Sequence, residues 1–315
     1  MSPPPDLGVA LGRLKLANPV MVASGTFGAM MDRVLDVSRI GAVVEKTVTK
    51  EPRKGNPPPR VWETAGGMLN SIGLENYGLE GWIQKRYPEV RDYGCKLILS
   101  VSGSTAEEYG ELVRRLDQLP RVDAFELNIS CPNVSHGMDH ATDPAMTEKV
   151  VRISKASTSR PVFAKLTPNV ADIVGIARAA MAGGADGISA INTLKGMAID
   201  WRKRAPCIGA ATGGLSGPAI KPVALRMVWE IASALPGVPI IGIGGISDAD
   251  DVLEFMVAGA SAVQVGTANF VNPETATRIV DALPGRLAEA KVARLADLVG
   301  TCSVKAGRKP GESGA

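Results

Sequence analysis

The chain of 315 residues has four cysteines, Cys95, Cys131, Cys207 and Cys302, and no two of them form a CxxC pair. Structural zinc sites and iron–sulfur clusters draw on closely spaced thiolates, so neither has its ligands here, and scattered thiols fit a reduced, cytoplasmic setting. No stretch approaches the ~18 apolar residues of a membrane span. The opening Met-Ser-Pro-Pro-Pro-Asp has no basic segment followed by an apolar run, so a soluble protein with no membrane partner is expected. A net charge of +3 with no concentrated basic stripe argues against nucleic acid as a partner. The two histidines, His136 and His140, share one loop with Asp139 and Asp143. Without a third ligand cluster these four read as a solvated loop, and no metal is expected. A Rossmann GxGxxG with an acidic residue about 20 positions on is also missing, because Gly242-Ile-Gly-Gly departs from that form.

What is present is a 45% apolar composition arranged as short strand-like runs. They are Val20–Ala23, Ala42–Glu45, Lys96–Val101, Val122–Ile129, Val162–Leu166, Gly187–Ile191, Pro239–Ile243 and Ala262–Val265. Helical spacing follows or separates them at Ala106–Leu119, Ala145–Ser157, Val170–Ala182, Ala219–Leu235, Ala249–Ala258 and Pro273–Leu283. Strands alternating with helices also suit an open doubly wound sheet, but eight of them favour an α/β architecture of the (β/α)8 TIM-barrel type. Residues 1–304 are expected to form one such domain, and 305–315, rich in Gly, Pro, Lys and Arg, a disordered tail. Residues 50–73 exceed a minimal loop and suggest an antiparallel excursion over the rim that excludes water.

Each strand ends in polar or glycine residues: Ser24-Gly25, Lys46-Thr47, Ser100 with Ser102, Asn128 to Asn133, Lys165, Asn192-Thr193, Gly244-Gly245 and Gly266-Thr267. Barrel enzymes build their sites at that rim. Lys46 and Lys165 at strand ends require anionic or strongly polar partners, because lysine is almost never buried unpaired. The stretch Val122 to Asn133 is the densest: Asn128 sits in an apolar strand, and Ser130-Cys131-Pro132-Asn133 stops it with a proline that cannot donate to a ladder. A buried amide without partners costs about 1 to 3 kcal/mol, so Asn128 must meet something polar, such as a ligand. Glycines at the ends of the last two strands allow backbone to approach a phosphate, and Thr212-Gly213-Gly214-Leu215-Ser216-Gly217-Pro218 can close over the same group.

Asn70-Ser-Ile-Gly-Leu74, Glu126-Leu-Asn-Ile-Ser-Cys-Pro-Asn133, Ile191-Asn-Thr193 and the paired glycines occur in an order and spacing that resemble class 1 dihydroorotate dehydrogenases, flavin enzymes on a (β/α)8 barrel. The resemblance implies oxidation of dihydroorotate to orotate in pyrimidine synthesis, with Cys131 as the base. It also implies that Lys46, Asn70, Ile72, Gly73, Leu74, Asn128, Asn133, Asn192 and Thr193 hold the substrate. FMN would be held by Ser24, Gly25, Lys46, Thr47, Ser100, Asn128, Lys165, Ile191, Gly217, Gly244, Gly245, Gly266 and Thr267. Ile191 to Asp200 and Gly213 to Pro222 look like class 1B rather than the fumarate-linked class 1A. A class 1B chain would work as a homodimer within a heterotetramer, beside a subunit that carries FAD and a [2Fe-2S] cluster and passes electrons to NAD. Flavin oxidoreductases of dihydropyrimidines or of tRNA dihydrouridine, and a flavin-binding subunit without chemistry of its own, remain open on the residues alone.

Overall fold

The structure is a computed structural model that describes residues 3–28, 33–129 and 142–303. Eight parallel strands close into a barrel in sequence order: β1 (Val20–Val22), β2 (Ala42–Val48), β3 (Lys96–Val101), β4 (Ala124–Asn128), β5 (Val162–Leu166), β6 (Gly187–Ala190), β7 (Ile240–Ile243) and β8 (Ala262–Val265). Their runs of Val, Ile, Leu and Ala are buried on both faces, as a parallel sheet wrapped in helices requires. The open-sheet alternative is excluded, since β8 pairs back onto β1 through Val263 and Val20.

The helices form where the sequence supplies caps and an apolar stripe. In Ala106–Leu116, the Thr105 side chain accepts from the Glu108 N–H, and Glu107 and Glu108 occupy the first turn while Arg114 and Arg115 occupy the last. Tyr109, Leu112, Val113 and Leu116 form its buried face. The helix expected to stop at Leu283 instead runs Thr275–Glu289, through Pro284. An interior proline costs about 3 kcal/mol, but fully burying a leucine returns about 1.5 to 3 kcal/mol, and Leu283 and Leu287 are both fully buried. Packing outweighs the local penalty.

The two ends of the barrel differ. At the N-terminal end, a hairpin of Val9–Leu11 and Leu14–Leu16 points Leu11 and Leu14 inward, and Arg13 donates to the Ser159 carbonyl (2.8 Å) just ahead of β5. At the C-terminal end, the excursion in residues 50–73 is the hairpin Val61–Thr64 with Gly67–Asn70. This hairpin is half of a four-stranded antiparallel sheet, in the order Leu194–Gly196, Gly213–Ser216, Gly67–Asn70, Val61–Thr64. The glycine-rich run expected to close over a phosphate is therefore partly a strand. A Cβ on Gly214 would lie 2.0 Å from Thr193 Oγ1 and one on Gly67 2.1 Å from the Ser216 carbonyl, so the sheet closes only with glycine at both positions.

Candidate active site at the C-terminal rim

A cavity of about 1370 Å³ opens where the strand ends meet the four-stranded sheet. Its wall includes Ser24, Gly25, Lys46, Thr47, Asn70, Asn128, Lys165, Ile191, Asn192, Thr193, Gly217, Gly244, Gly245, Gly266 and Thr267, together with Ile72, Gly73 and Leu74. Lys46 and Thr47 are sequence neighbours and would ordinarily face opposite ways. The β2–β3 register shifts between Glu45 and Val48, and the extra residue of this bulge turns both side chains to the cavity.

A chain of hydroxyls and amides crosses the rim. Thr47 Oγ1 lies 3.3 Å from Ser24 Oγ and 2.9 Å from Ser100 Oγ, and accepts from Asn128 Nδ2 at 3.3 Å. Asn192 Nδ2 in turn donates to Asn128 Oδ1 at 3.3 Å, and the Thr193 N–H donates to Asn192 Oδ1 at 2.8 Å. From outside the barrel, Tyr109 donates its hydroxyl proton to the Asn128 carbonyl (2.8 Å) and so fixes the end of β4. Across the cavity, Asn70 Nδ2 donates to the Gly214 carbonyl at 3.3 Å. The polar partners required by Asn128 are thus side chains of the protein, held at long hydrogen-bond distances.

Beneath this rim the barrel interior is polar where branched apolar side chains ordinarily fill it. Glu126 on β4 is fully buried; its Oε2 accepts from Ser189 Oγ of β6 (2.8 Å) and Gln264 Nε2 of β8 (2.6 Å). Its Oε1 lies 3.6 Å from Lys165 Nζ of β5. The anionic partner sought by Lys165 is therefore internal. A second buried carboxylate, Glu45 midway along β2, meets Arg86 at 3.3 Å through both oxygens and accepts from the Lys46 N–H at 3.0 Å. Burial pushes the Glu45 carboxyl up, against the pull of the Arg86 guanidinium and the Lys46 N–H. Arg86 rises above its ordinary value although burial opposes it, because Glu45 and Glu89 face it.

The first turn of the helix Ala249–Ala258, which follows β7, is satisfied from within the chain. Asp248 and Asp251 form a capping box, and the Asp251 carboxylate also takes the Ser247 N–H (2.7 Å) and Lys221 Nζ (2.6 Å). Burial would raise the Asp251 carboxyl, but these donors hold it below the usual range. An anion at this rim would rely on the loops of Gly244, Gly245, Gly266 and Thr267 rather than on that helix.

The family model for dihydroorotate dehydrogenase matches residues 6–287, nearly the whole barrel. The chain belongs to the dihydroorotate dehydrogenase family. It is 50% identical over 303 residues to a protein of Geotalea daltonii, covering 95% of this chain and 99% of the relative. To a protein of Trichlorobacter lovleyi it is 52% identical over 299 residues (94% and 98%), and to one of Alkaliphilus metalliredigens 50% over 299 residues (94% and 98%). All three relatives are named dihydroorotate dehydrogenase B (NAD(+)), catalytic subunit, so the class 1B resemblance holds.

Among this dehydrogenase's expected site residues, Ser100 does not line the cavity; it is buried and, among the described residues, reaches the wall through the Thr47 hydroxyl. Cys131 and Asn133, like His136 and His140, lie outside the described residues, as does the 305–315 tail. Sequence reasoning gave no role to Glu126, Ser189 or Gln264. Their signal was parity: Glu126 stands two residues before Asn128 and so shares its face, and it sits opposite Ser100 in the β3–β4 register. Asn169 was also missed. Its amide donates to the Thr193 carbonyl (3.1 Å) and its Oδ1 accepts from the Lys195 N–H (2.8 Å), which fixes the loop after β6. No helix of the described residues is long and apolar enough to cross a membrane.

Proposed function

We propose that this chain oxidises (S)-dihydroorotate to orotate in pyrimidine synthesis with FMN as its resident cofactor. The observation that carries the reading is the meeting of Asn70, Asn128, Asn192 and Thr193 with Lys46 and Lys165 in one cavity, in a chain of this family. Asparagine offers both donor and acceptor, which matches a ring of alternating C=O and N–H groups. Two ammonium groups suit an anionic substrate and a cofactor that gains negative charge.

FMN fits the residues present. Gly244, Gly245, Gly266 and Thr267 lie together in the wall of the cavity, whose volume of about 1370 Å³ admits an isoalloxazine ring beside a small substrate. Ser24, Gly25, Lys46, Thr47, Asn128, Lys165 and Ile191 would hold the ring system, with Ser100 fixing Thr47. Gly217, Gly244, Gly245, Gly266 and Thr267 would hold the phosphate. When bound, FMN supplies the hydride acceptor. The chain's part is to orient the substrate through its amides and the loop Ile72 to Leu74, to exclude water with the four-stranded sheet, and to remove a proton. Cys131 takes that proton from the carbon next to the substrate carbonyl, and Asn133 completes the amide set.

The relatives are named NAD(+)-linked catalytic subunits. This chain would pass electrons to NAD through a second subunit with FAD and a [2Fe-2S] cluster, as a cytoplasmic homodimer within a heterotetramer. Anaerobic addition of dihydroorotate to the FMN-loaded chain should bleach the flavin absorbance and yield orotate, with little NAD reduced. A flavin that stays oxidised, or efficient NAD reduction by the isolated chain, would sink the respective half of the reading.

A further inference from the structure

A fully buried carboxylate at the centre of a barrel is costly unless it is paired, and Glu126 is held on three sides by residues of three different strands. Ser189 and Gln264 fix its Oε2, which leaves Oε1 with no hydrogen bond and directed at Lys165 Nζ, 3.6 Å away. Lys165 is itself 7% exposed and lines the cavity floor, whereas Glu126 does not reach the cavity wall. Among the described residues, the carboxylate therefore meets the cavity wall at the Lys165 ammonium.

We propose that Glu126 is a positioning residue: it anchors the Lys165 ammonium at the cavity floor and so governs flavin binding and reduction without touching flavin or substrate. The inference rests on the assignment of FMN to this cavity. Ser189 and Gln264 set the carboxylate's orientation, Glu126 sets the height of the ammonium, and Lys165 presents the charge. Without Glu126, the flexible four-carbon side chain loses the carboxylate that faces its charge in a poorly solvated site, and the preorganisation that this ion pair gives the charge is lost.

The test titrates apoprotein with FMN and follows flavin fluorescence, then follows bleaching by dihydroorotate in stopped flow. Glu126→Gln keeps the size and an acceptor oxygen for Ser189 and Gln264 while removing the charge and setting an NH2 group in place of the oxygen that faces Lys165. It should weaken FMN and slow bleaching by about 10- to 100-fold, the range seen when outer partners of site ligands are removed. In a Lys165→Met background the same substitution should change neither by more than about twofold, because coupled residues are non-additive. A residue that merely stabilises the barrel would give the same loss in both backgrounds, and that result overturns the proposal, as does a Glu126→Gln protein that binds FMN like wild type. Should Glu126→Gln fail to fold, Ser189→Ala removes only one bond to the carboxylate. It should give a loss of about threefold in FMN affinity that vanishes in the Lys165→Met background, and persistence of that loss there overturns the idea. A wild-type protein that binds FMN but is not bleached by dihydroorotate would refute the proposed reaction alone, and the FMN titrations would still decide Glu126. A wild type that binds no FMN refutes both.

Discussion

The two ends of the barrel carry the same kind of connection and opposite chemistry. At the N-terminal end the hairpin Val9–Leu16 inserts Leu11 and Leu14 under the strands, fully or almost fully buried, and its contacts are apolar packing with a surface clasp from Arg13. At the C-terminal end the four-stranded sheet leaves Val61 and Trp62 exposed and spans a cavity lined by amides, ammonium groups and glycine. One end supplies stability and the other reactivity, and mutations should separate the two.

The largest separation is expected at Cys131. Cys131→Ala should slow flavin reduction by about a hundred- to ten-thousand-fold, the usual contribution of a positioned base, while orotate still binds through the asparagines. Stopped-flow reduction at near wild-type rate would show that the thiol only packs. At the opposite end, Leu11→Ala should cost about 2 to 5 kcal/mol in urea unfolding and leave the reduction rate at 20 °C within about twofold. A parallel fall in rate would mean that the two ends are not independent. Gly214→Ala reverses the pattern on a smaller scale. Its Cβ would collide with Thr193 Oγ1, and overpacking of about 1 to 3 kcal/mol should appear as roughly tenfold weaker orotate binding with little change in melting temperature.

Acid should act on the rim through Asp251, whose folded carboxyl lies below its unfolded value of 3.8. Its stabilising contribution is complete above that value and is lost as pH falls through the lower folded one. Unfolding followed from pH 5 to pH 2 should therefore lose part of its acid sensitivity in Asp251→Asn. The smallest effect separates thiols. Burial pushes Cys95 up to about 11, so at pH 8 it should alkylate far more slowly than exposed Cys302, as mass mapping of iodoacetamide adducts would report.

The barrel was legible because each strand is a short apolar run closed by polar residues, and the runs from Val20 to Val265 correspond to the eight strands. The cavity wall was legible at the same strand ends. Glu126 was not, since one acid in Phe-Glu-Leu-Asn shows its role only once alternation is placed on a closed barrel with Ser189 and Gln264 across the interior. The strands Leu194–Gly196 and Gly213–Ser216 were also hidden. They are short and glycine-rich, with no β-branched run, and the pairing of Gly213–Ser216 with Gly67–Asn70 is set by a partner far away in sequence.

That distance bears on the order in which the protein becomes competent. Asn70 bonds to Gly214 across a separation of 144 residues, and the sheet that covers the cavity takes two strands from either side of that gap. During synthesis the hairpin of residues 61–70 emerges long before its partner strand exists, and it must wait with an open edge. The cover can close only after β6 has been made, so a nascent chain that has built half the barrel holds half a roof.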